Sequence, residues 1–145
     1  MTSQMQLKIN NVMDEIDRLY YQAGSKADLS NSAFDILYVL ASYGDGCSQK
    51  ELCERCWTGK QTVNSAVKKM ASQGFLVLEP GHGREKLIWL TESGKALIEK
   101  KMRPFLDAEQ ASYDVLSEQE KECLLGLLTR MRDGLRSSLA SSGLL

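Results

Sequence analysis

Residues 48–90 carry the clearest structural signals of the chain and read SQKELCERCWTGKQTVNSAVKKMASQGFLVLEPGHGREKLIWL. The stretch opens with Ser48 and, three residues later, Glu51, a spacing at which each side chain can bond the other residue's backbone N–H. This capping box predicts a short helix over residues 49–57. The residues that follow decide which motif the helix belongs to.

A second helix and a hairpin follow. The pair Thr58-Gly59 predicts a tight turn, and residues 60–72 predict a helix that Gly74 ends. Residues 75–79 and 86–90 resemble short strands, and the Pro-Gly-His-Gly sequence between them is typical of a hairpin. The stretch is therefore a helix-turn-helix with a β-hairpin attached.

Further helices are predicted on both sides of this stretch. Residues 7–23 carry apolar side chains at a 3.6-residue period, whereas residues 33–42 are apolar on nearly all sides and predict a buried helix. A long helix over residues 91–116 is interrupted or kinked at Pro104, and a second capping box at Ser117 opens the last helix. The predicted fold class is mainly α with a small β-hairpin wing (α+β), a winged helix-turn-helix.

Length and composition limit the kind of protein. A chain of 145 residues with 43% hydrophobic residues predicts a single domain, 1–145. Its 18 basic and 19 acidic residues exclude a globally basic nucleic-acid coat or a polybasic membrane binder. No apolar run is long enough to span a membrane, and the start at Met1 does not resemble a signal peptide. We therefore expect a cytoplasmic protein with no membrane partner and with reduced cysteines.

Positive charge is concentrated in the stretch quoted above. Residues 48–90 hold seven basic and four acidic residues, a net charge of +3. Residues 1–47 hold three basic and six acidic residues (−3), and residues 91–145 hold eight and nine (−1). The local excess, rather than the overall charge of −1, is what an anionic partner would meet.

The second helix of the motif carries residues suited to DNA. Val63, Val67 and Met70 must face the core, so the polar side chains point outward. Amides and hydroxyls read base edges, lysines hold phosphates, and a cationic hairpin tip can enter a minor groove. An ordinary solvated helix face is the alternative interpretation. The predicted DNA-binding residues are Ser48, Lys50, Lys60, Gln61, Thr62, Asn64, Ser65, Lys68, Lys69, His82, Arg84 and Lys86.

The cysteines suggest a second, less specific chemistry. Cys53 and Cys56 form a C-x-x-C pair on an apolar helix face, where cysteine usually serves as a small hydrophobic residue. A zinc site needs a second pair of ligands, and Cys123 and His82 stand at no characteristic spacing, so we predict no metal. Cys47 comes just before a helix N-terminus, which lowers thiol pKa values, and is the candidate redox residue.

Enzymatic chemistry finds little support in the sequence. There is one histidine, and the chain has no nucleophile elbow, phosphate-binding loop or dinucleotide fingerprint. Asp14, Glu15 and Asp17 lie on the polar side of the first predicted helix, where carboxylates are normally solvated. We therefore predict no enzyme, no catalytic residues and no cofactor.

Four segments together resemble the MarR family of bacterial winged-helix regulators. They are SQKELC from Ser48, QTVN from Gln61, KMASQGFLV from Lys69 and GREKLIWLTESG from Gly83. The resemblance extends over about residues 30–140 and the order of elements agrees throughout.

Individual positions match or depart from the family pattern. Arg84 fills the arginine position of the wing's Asp-x-Arg signature, whereas His82 stands where the family usually has the aspartate that steadies this arginine. Ser65 replaces a longer basic residue that is frequent there. Cys53 and Cys56 stand at positions where alanine and leucine are usual. The departures at positions 65 and 82 imply DNA contacts of altered strength or specificity.

The resemblance implies a function and an assembly. Family members are homodimers that bind pseudo-palindromic double-stranded DNA, commonly as repressors released by a small, often aromatic ligand or a chemical signal. Residues 1–30 and 91–145 would form the helical dimerisation region, and residues 31–90 the DNA-binding lobe. The alternatives are a winged-helix module for protein interaction and a thiol-gated redox-sensing regulator. Two apolar stripes independently permit a dimer: Ile9, Val12, Ile16, Leu19 and Leu124, Leu127, Met131, Leu135.

Overall fold

The computed structural model describes residues 2–145, and Met1, where the predicted domain begins, lies outside the described residues. The chain folds mainly into helices and contains a small antiparallel sheet, which confirms the predicted fold class. In chain order the elements are α1 (Gln4–Lys26), α2 (Asn31–Tyr43), β1 (Cys47–Ser48), α3 (Gln49–Arg55), α4 (Lys60–Ser72), β2 (Leu76–Pro80), β3 (Lys86–Leu90), α5 (Glu92–Leu97), a π-helical turn (Ile98–Met102), α6 (Arg103–Asp114) and α7 (Glu118–Ser141).

The chain forms two compact units. The first ends at Phe105 and contains the helix-turn-helix and the sheet, and the second runs from Leu106 to Leu145. Helix α6 crosses this boundary, and α7 lies wholly within the second unit. No helix of residues 2–145 is long and apolar enough to cross a membrane.

The sheet has the order β1-β3-β2, with both pairings antiparallel. Strands β2 and β3 form the predicted hairpin, paired from Leu76 opposite Leu90 to Pro80 opposite Lys86. Strand β1 is only two residues long and pairs Cys47 with Ile88. The sequence did not predict β1, because two residues are too few to show an alternating pattern.

The core of the first unit is built around α2. Ile36, Leu37 and Leu40 of this helix are almost completely buried, as its all-round apolar sequence predicts. Val63 and Val67 of α4 are fully buried as well, so the predicted inward face of α4 is confirmed. This packing fixes which side of α4 meets solvent.

Both predicted capping boxes are present. The Ser48 hydroxyl accepts from the Glu51 N–H at 3.1 Å, and the Glu51 carboxylate accepts from the Ser48 N–H at 2.8 Å. Ser117 and Glu120 form the same pair of bonds at the start of α7. Hydrogen bonds from the serine backbone hold the pKa of Glu51 and of Glu120 below the usual range.

The interruption predicted near Pro104 is a π-helical turn over Ile98–Met102. Proline has no N–H to bond the carbonyl four residues earlier, so the regular α-helical pattern cannot continue through it. The sixth helix resumes at Arg103, which places Pro104 in the first turn, where a missing N–H costs least. The turn buries Ile98 and Met102.

Candidate nucleic-acid interface

The turn between α3 and α4 is tied to α2 by a buried carboxylate. The Asp35 Oδ2 atom accepts from the Thr58 N–H at 2.9 Å and from the Thr58 hydroxyl at 2.6 Å. Thr58 directly precedes Gly59, the N-cap residue of α4. Asp35 therefore fixes the position at which α4 begins.

Helix α4 presents an exposed polar face. At 3.6 residues per turn, Gln61, Thr62, Ser65, Lys68 and Lys69 fall within an arc of roughly 120°. All five side chains are exposed, as is that of Lys60. Within residues 2–145 these six side chains make no hydrogen bond or ion pair with the rest of the protein. They are free to bond an external partner, and we call this surface the α4 face.

Two predicted DNA-binding residues are engaged inside the protein. Asn64 is half-buried, and its Oδ1 atom accepts from Gln49 Nε2 at 2.7 Å and from the Cys53 thiol at 3.5 Å. Ser48 is buried at 3% exposure because its hydroxyl caps α3. Sequence reasoning missed the role of Gln49, because its partner lies 15 residues away and no local pattern links them.

Lys50 lies on the exposed side of α3, the helix that precedes α4 in the chain. Its Nζ is 3.9 Å from the Glu54 carboxylate, and the two side chains are 82% and 63% exposed. An ion pair this exposed contributes little free energy, so an external phosphate can replace the glutamate.

The hairpin tip carries the other predicted residues, His82, Arg84 and Lys86, all exposed. The Gly81 N–H donates to the Glu85 carbonyl at 2.8 Å, which closes the turn. Gly83 has φ +65°, a left-handed conformation that favours glycine. Within the described residues the Arg84 guanidinium has no hydrogen-bond or ion-pair partner, so His82 does not steady it as the family's aspartate would.

A corner before β1, which no sequence pattern predicted, anchors the base of this wing. The Asp45 carboxylate accepts from the Leu90 N–H at 2.9 Å, and the Gly46 N–H donates to the Ile88 carbonyl at 2.6 Å. Gly46 has φ +83°, and a Cβ there would lie 2.6 Å from the Trp89 ring. The corner thus holds the wing to the start of the helix-turn-helix.

The predicted low pKa of Cys47 is wrong. Cys47 lies in β1 and is half-buried, and burial raises the pKa of its thiol more than nearby Arg55 lowers it. Burial also raises the pKa of Cys53, and burial together with the Asp35 charge raises that of Cys56 to about 12. These three thiols are therefore poor nucleophiles near neutral pH. The redox role of Cys47 stays a prediction, but the lowered thiol pKa on which it was based is not observed.

A helix-turn-helix, a three-stranded sheet with a projecting hairpin, and an exposed cationic helix face define a winged-helix protein of the DNA-binding class. The MarR family model matches residues 27–85. The chain is 31% identical over 120 residues to the HTH-type transcriptional regulator PecS of Dickeya dadantii, covering 80% of this chain and 72% of that protein. This chain belongs to the MarR family of transcriptional regulators, as its sequence predicted.

Another relative and a solved structure are also similar to this chain. The HTH-type transcriptional repressor NicR of Pseudomonas putida is 26% identical over 117 residues, which cover 79% of this chain and 73% of NicR. The fold is similar to that of NMB1585, a MarR family regulator from Neisseria meningitidis, with a TM-score of 0.79 and 23% identity over 97% and 99% of the two chains.

Two similar structures contain partners. One is a complex of MepR from S. aureus with DNA (TM-score 0.62, 24% identity, 93% and 99% coverage). The other is NadR in complex with 4-hydroxyphenylacetate (TM-score 0.68, 15% identity, 90% and 93% coverage). The family and the relatives are transcriptional regulators rather than enzymes.

Proposed function

We propose that this regulator is a homodimeric repressor that binds a pseudo-palindromic double-stranded DNA operator and is released by a small molecule. The observation that carries the proposal is the α4 face, whose six polar side chains are exposed and unpaired beside a cationic wing. The MepR complex with DNA supports the same use of this fold. The site of action of such a regulator is the cytoplasm, where bacterial DNA lies.

The chemistry of each side chain suggests its contact. Gln61, Thr62 and Ser65 carry amide and hydroxyl groups, which can form hydrogen bonds with base edges in a major groove. Asn64 joins them through its Nδ2 group, because only its Oδ1 atom is engaged by Gln49. The Ser48 hydroxyl is buried and caps α3, so we assign it no contact with DNA.

The charged side chains serve the DNA backbone and the adjacent minor groove. Phosphate contacts of this kind supply affinity rather than sequence discrimination. Exposed positive side chains at a hairpin tip suit the narrow, negative minor groove. We assign phosphates to Lys50, Lys60, Lys68 and Lys69, and the wing contacts to His82, Arg84 and Lys86.

The dimer is supported by apolar surface that each unit leaves exposed. On α1, Val12 and Leu19 are 57% and 63% exposed, and on α7, Leu127 and Leu135 are 56% and 61% exposed. Stripes of this kind on a regulator commonly mark an interface. We therefore assign residues 1–30 and 91–145 to dimerisation and residues 31–90 to DNA binding.

Repression is supported by one relative, and release by a ligand is supported by one similar structure. NicR is a transcriptional repressor, and NadR forms a complex with 4-hydroxyphenylacetate.

The proposal is tested by fluorescence anisotropy with DNA from upstream of the protein's own gene, against a scrambled duplex, over a salt series. We expect tighter binding to the upstream DNA and a steep loss of affinity as salt rises. Equal, weak and sequence-independent binding to that DNA and to a tiled set of neighbouring promoters would contradict the proposal. That outcome would favour a protein-interaction module.

Lys68→Ala is expected to flatten the salt dependence of DNA binding. Each lost phosphate contact reduces the slope of log affinity against log salt by about 0.9, so a dimer loses about two units. Because a phosphate contact carries no sequence information, upstream and scrambled DNA should weaken by similar factors. The matched control is Lys8→Ala, an exposed lysine on α1. An unchanged slope in Lys68→Ala would remove this residue from the interface.

A further inference from the structure

Asn64 lies at one edge of the α4 face and is held from inside the protein. At 3.6 residues per turn it is about 40° around the helix from Lys68. Its side chain is half-buried, so one part of the amide meets the protein and the rest meets solvent. In a helix-turn-helix, residues in the N-terminal part of the second helix are those that contact base edges. The orientation of this amide therefore determines which hydrogen-bonding group a base would meet.

Two donors converge on the carbonyl oxygen of this amide. Gln49 Nε2 donates to Asn64 Oδ1 at 2.7 Å, and the Cys53 thiol donates to the same atom at 3.5 Å. Burial raises the pKa of the Cys53 thiol, so the sulfur keeps its proton near neutral pH and remains a donor. An amide oxygen has two lone pairs. Because Gln49 and Cys53 occupy both, Oδ1 has no capacity left to accept from a base.

The nitrogen of the same amide is left for an external partner. Among residues 2–145, Asn64 makes hydrogen bonds only through Oδ1, and its Nδ2 group is bonded to no acceptor. This group is a donor with two N–H bonds and no acceptor capacity. Asparagine ordinarily reads adenine with both atoms of its amide, the oxygen accepting from N6 and the nitrogen donating to N7. The occupied oxygen of Asn64 excludes that two-bond contact.

The four bases differ at the atom that would meet this donor. In the major groove guanine O6 and thymine O4 are acceptors. Adenine N6 and cytosine N4 occupy the same two places and are donors. Two donors set against each other leave both groups unpaired, which costs free energy where water is excluded. A donor-only Asn64 therefore favours a base that carries a keto oxygen.

We propose that Gln49 and Cys53 are positioning residues that hold Asn64 with its Nδ2 group outward, so that Asn64 selects a keto base, guanine or thymine, at one position of each half-site. The inference rests on the proposed function, because it names a base preference within the proposed operator. Gln49 and Cys53 are themselves half-buried, and neither has to touch DNA. Their contribution is the direction of one amide group.

Gln49→Glu is expected to reverse the polarity of this contact. A carboxylate has no proton to donate, so Asn64 should turn, donate from Nδ2 to the introduced carboxylate and present Oδ1 outward. Position 49 lies in the first turn of α3, where a negative side chain is favoured, so the variant should fold. The preferred base should then change from guanine to adenine, or from thymine to cytosine, since each change replaces a keto oxygen by an amino group at the same place.

The preference is measured by anisotropy with a panel of upstream duplexes, each carrying one base-pair change repeated in both half-sites. The position that Asn64 reads is the one at which Asn64→Ala loses discrimination. At that position wild type should bind the keto base about tenfold or more tighter than the corresponding amino base, and Gln49→Glu should reverse the order. Gln73→Glu is the matched control, because it makes the same substitution at the exposed C-cap of α4 and should keep the wild-type preference.

The orientation of Asn64 is also measured without DNA, from the water exchange of side-chain amide protons in the isotope-labelled full chain. In wild type the Gln49 amide should exchange more slowly than the Asn64 amide, whereas in Gln49→Glu the exchange of the Asn64 amide should slow. The wild-type comparison stands even if the variant fails to fold. Because this measurement needs no DNA, a failure of DNA binding would contradict the proposed function and leave the orientation of Asn64 decided.

Four results would overturn the proposal. They are an amino base preferred by wild type at the Asn64 position, no position at which Asn64→Ala loses discrimination, a Gln49→Glu protein that keeps the wild-type preference, and an Asn64 amide that exchanges more slowly than the Gln49 amide in wild type.

Discussion

Gly94→Ala is expected to lower the free energy of unfolding by about 3 kcal/mol, a large part of the stability of a small domain. Gly94 is buried in the first turn of α5, and a Cβ built there overlaps the carbonyl oxygen of Phe75 and lies 3.0 Å from Leu90 Cδ2. The same Phe75 carbonyl accepts from the Thr91 N–H at 3.1 Å. An added methyl group must therefore push α5 away from the chain that enters β2.

Thermal and urea unfolding followed by circular dichroism measure this effect. At this chain length a loss of that size lowers the melting temperature by about 10 °C. Gly126→Ala is the matched control, because Gly126 lies inside α7 with nothing within 4 Å of the added Cβ. Its helix should gain up to about 1 kcal/mol. Equal melting of Gly94→Ala and wild type would show that α5 shifts without cost.

The close contact at Gly94 shows which features can be predicted from the sequence and which cannot. Gly94, three residues after Thr91, belongs to the segment that resembles the MarR family, but the reason for a glycine there lies in its contact with Phe75, 19 residues earlier in the chain. Local signals predicted the elements themselves well. The capping boxes at Ser48 and Ser117 and the boundaries of α4 are all observed.

The residues of the candidate site also fall into two groups, those predicted by local sequence patterns and those whose role depends on packing between helices. The α4 face followed from helical periodicity once Val63, Val67 and Met70 were placed in the core. The engagement of Asn64 by Gln49 did not, because it depends on how α3 packs on α4. The role of Asp35 could not be predicted for a similar reason. It lies in a helix that is apolar on nearly all sides, and only the fold brings Thr58 to it.

Cysteine chemistry shows how burial overrides sequence position. A thiol before a helix N-terminus is expected to be acidic, and Cys47 does precede α3. Its place in β1 instead leaves it half-buried between neighbouring elements, so desolvation dominates its pKa. The C-x-x-C pair follows the same rule, which supports the interpretation of Cys53 and Cys56 as small apolar side chains.

Leu135→Glu is expected to convert the dimer into monomers and to weaken binding to the upstream DNA about hundredfold. Leu135 is 61% exposed on α7, within the apolar stripe that includes Leu124, Leu127 and Met131. In a symmetric interface one substitution places two carboxylates against apolar surface, because the same patch is used by both subunits. A monomer addresses only one half-site, and loss of the second removes the gain from linked binding, which is typically a factor of 10²–10⁴.

Sedimentation equilibrium measures the assembly, and anisotropy with the upstream DNA measures the affinity. Ser137→Glu is the matched control, since it adds the same charge two residues away on the opposite side of α7. It should remain dimeric with unchanged DNA affinity, because Ser137 lies outside the apolar stripe. A Leu135→Glu protein that stays dimeric would place the interface elsewhere. If it became monomeric yet kept full affinity for the operator, each α4 face would bind independently and the proposed pseudo-palindromic recognition would be wrong.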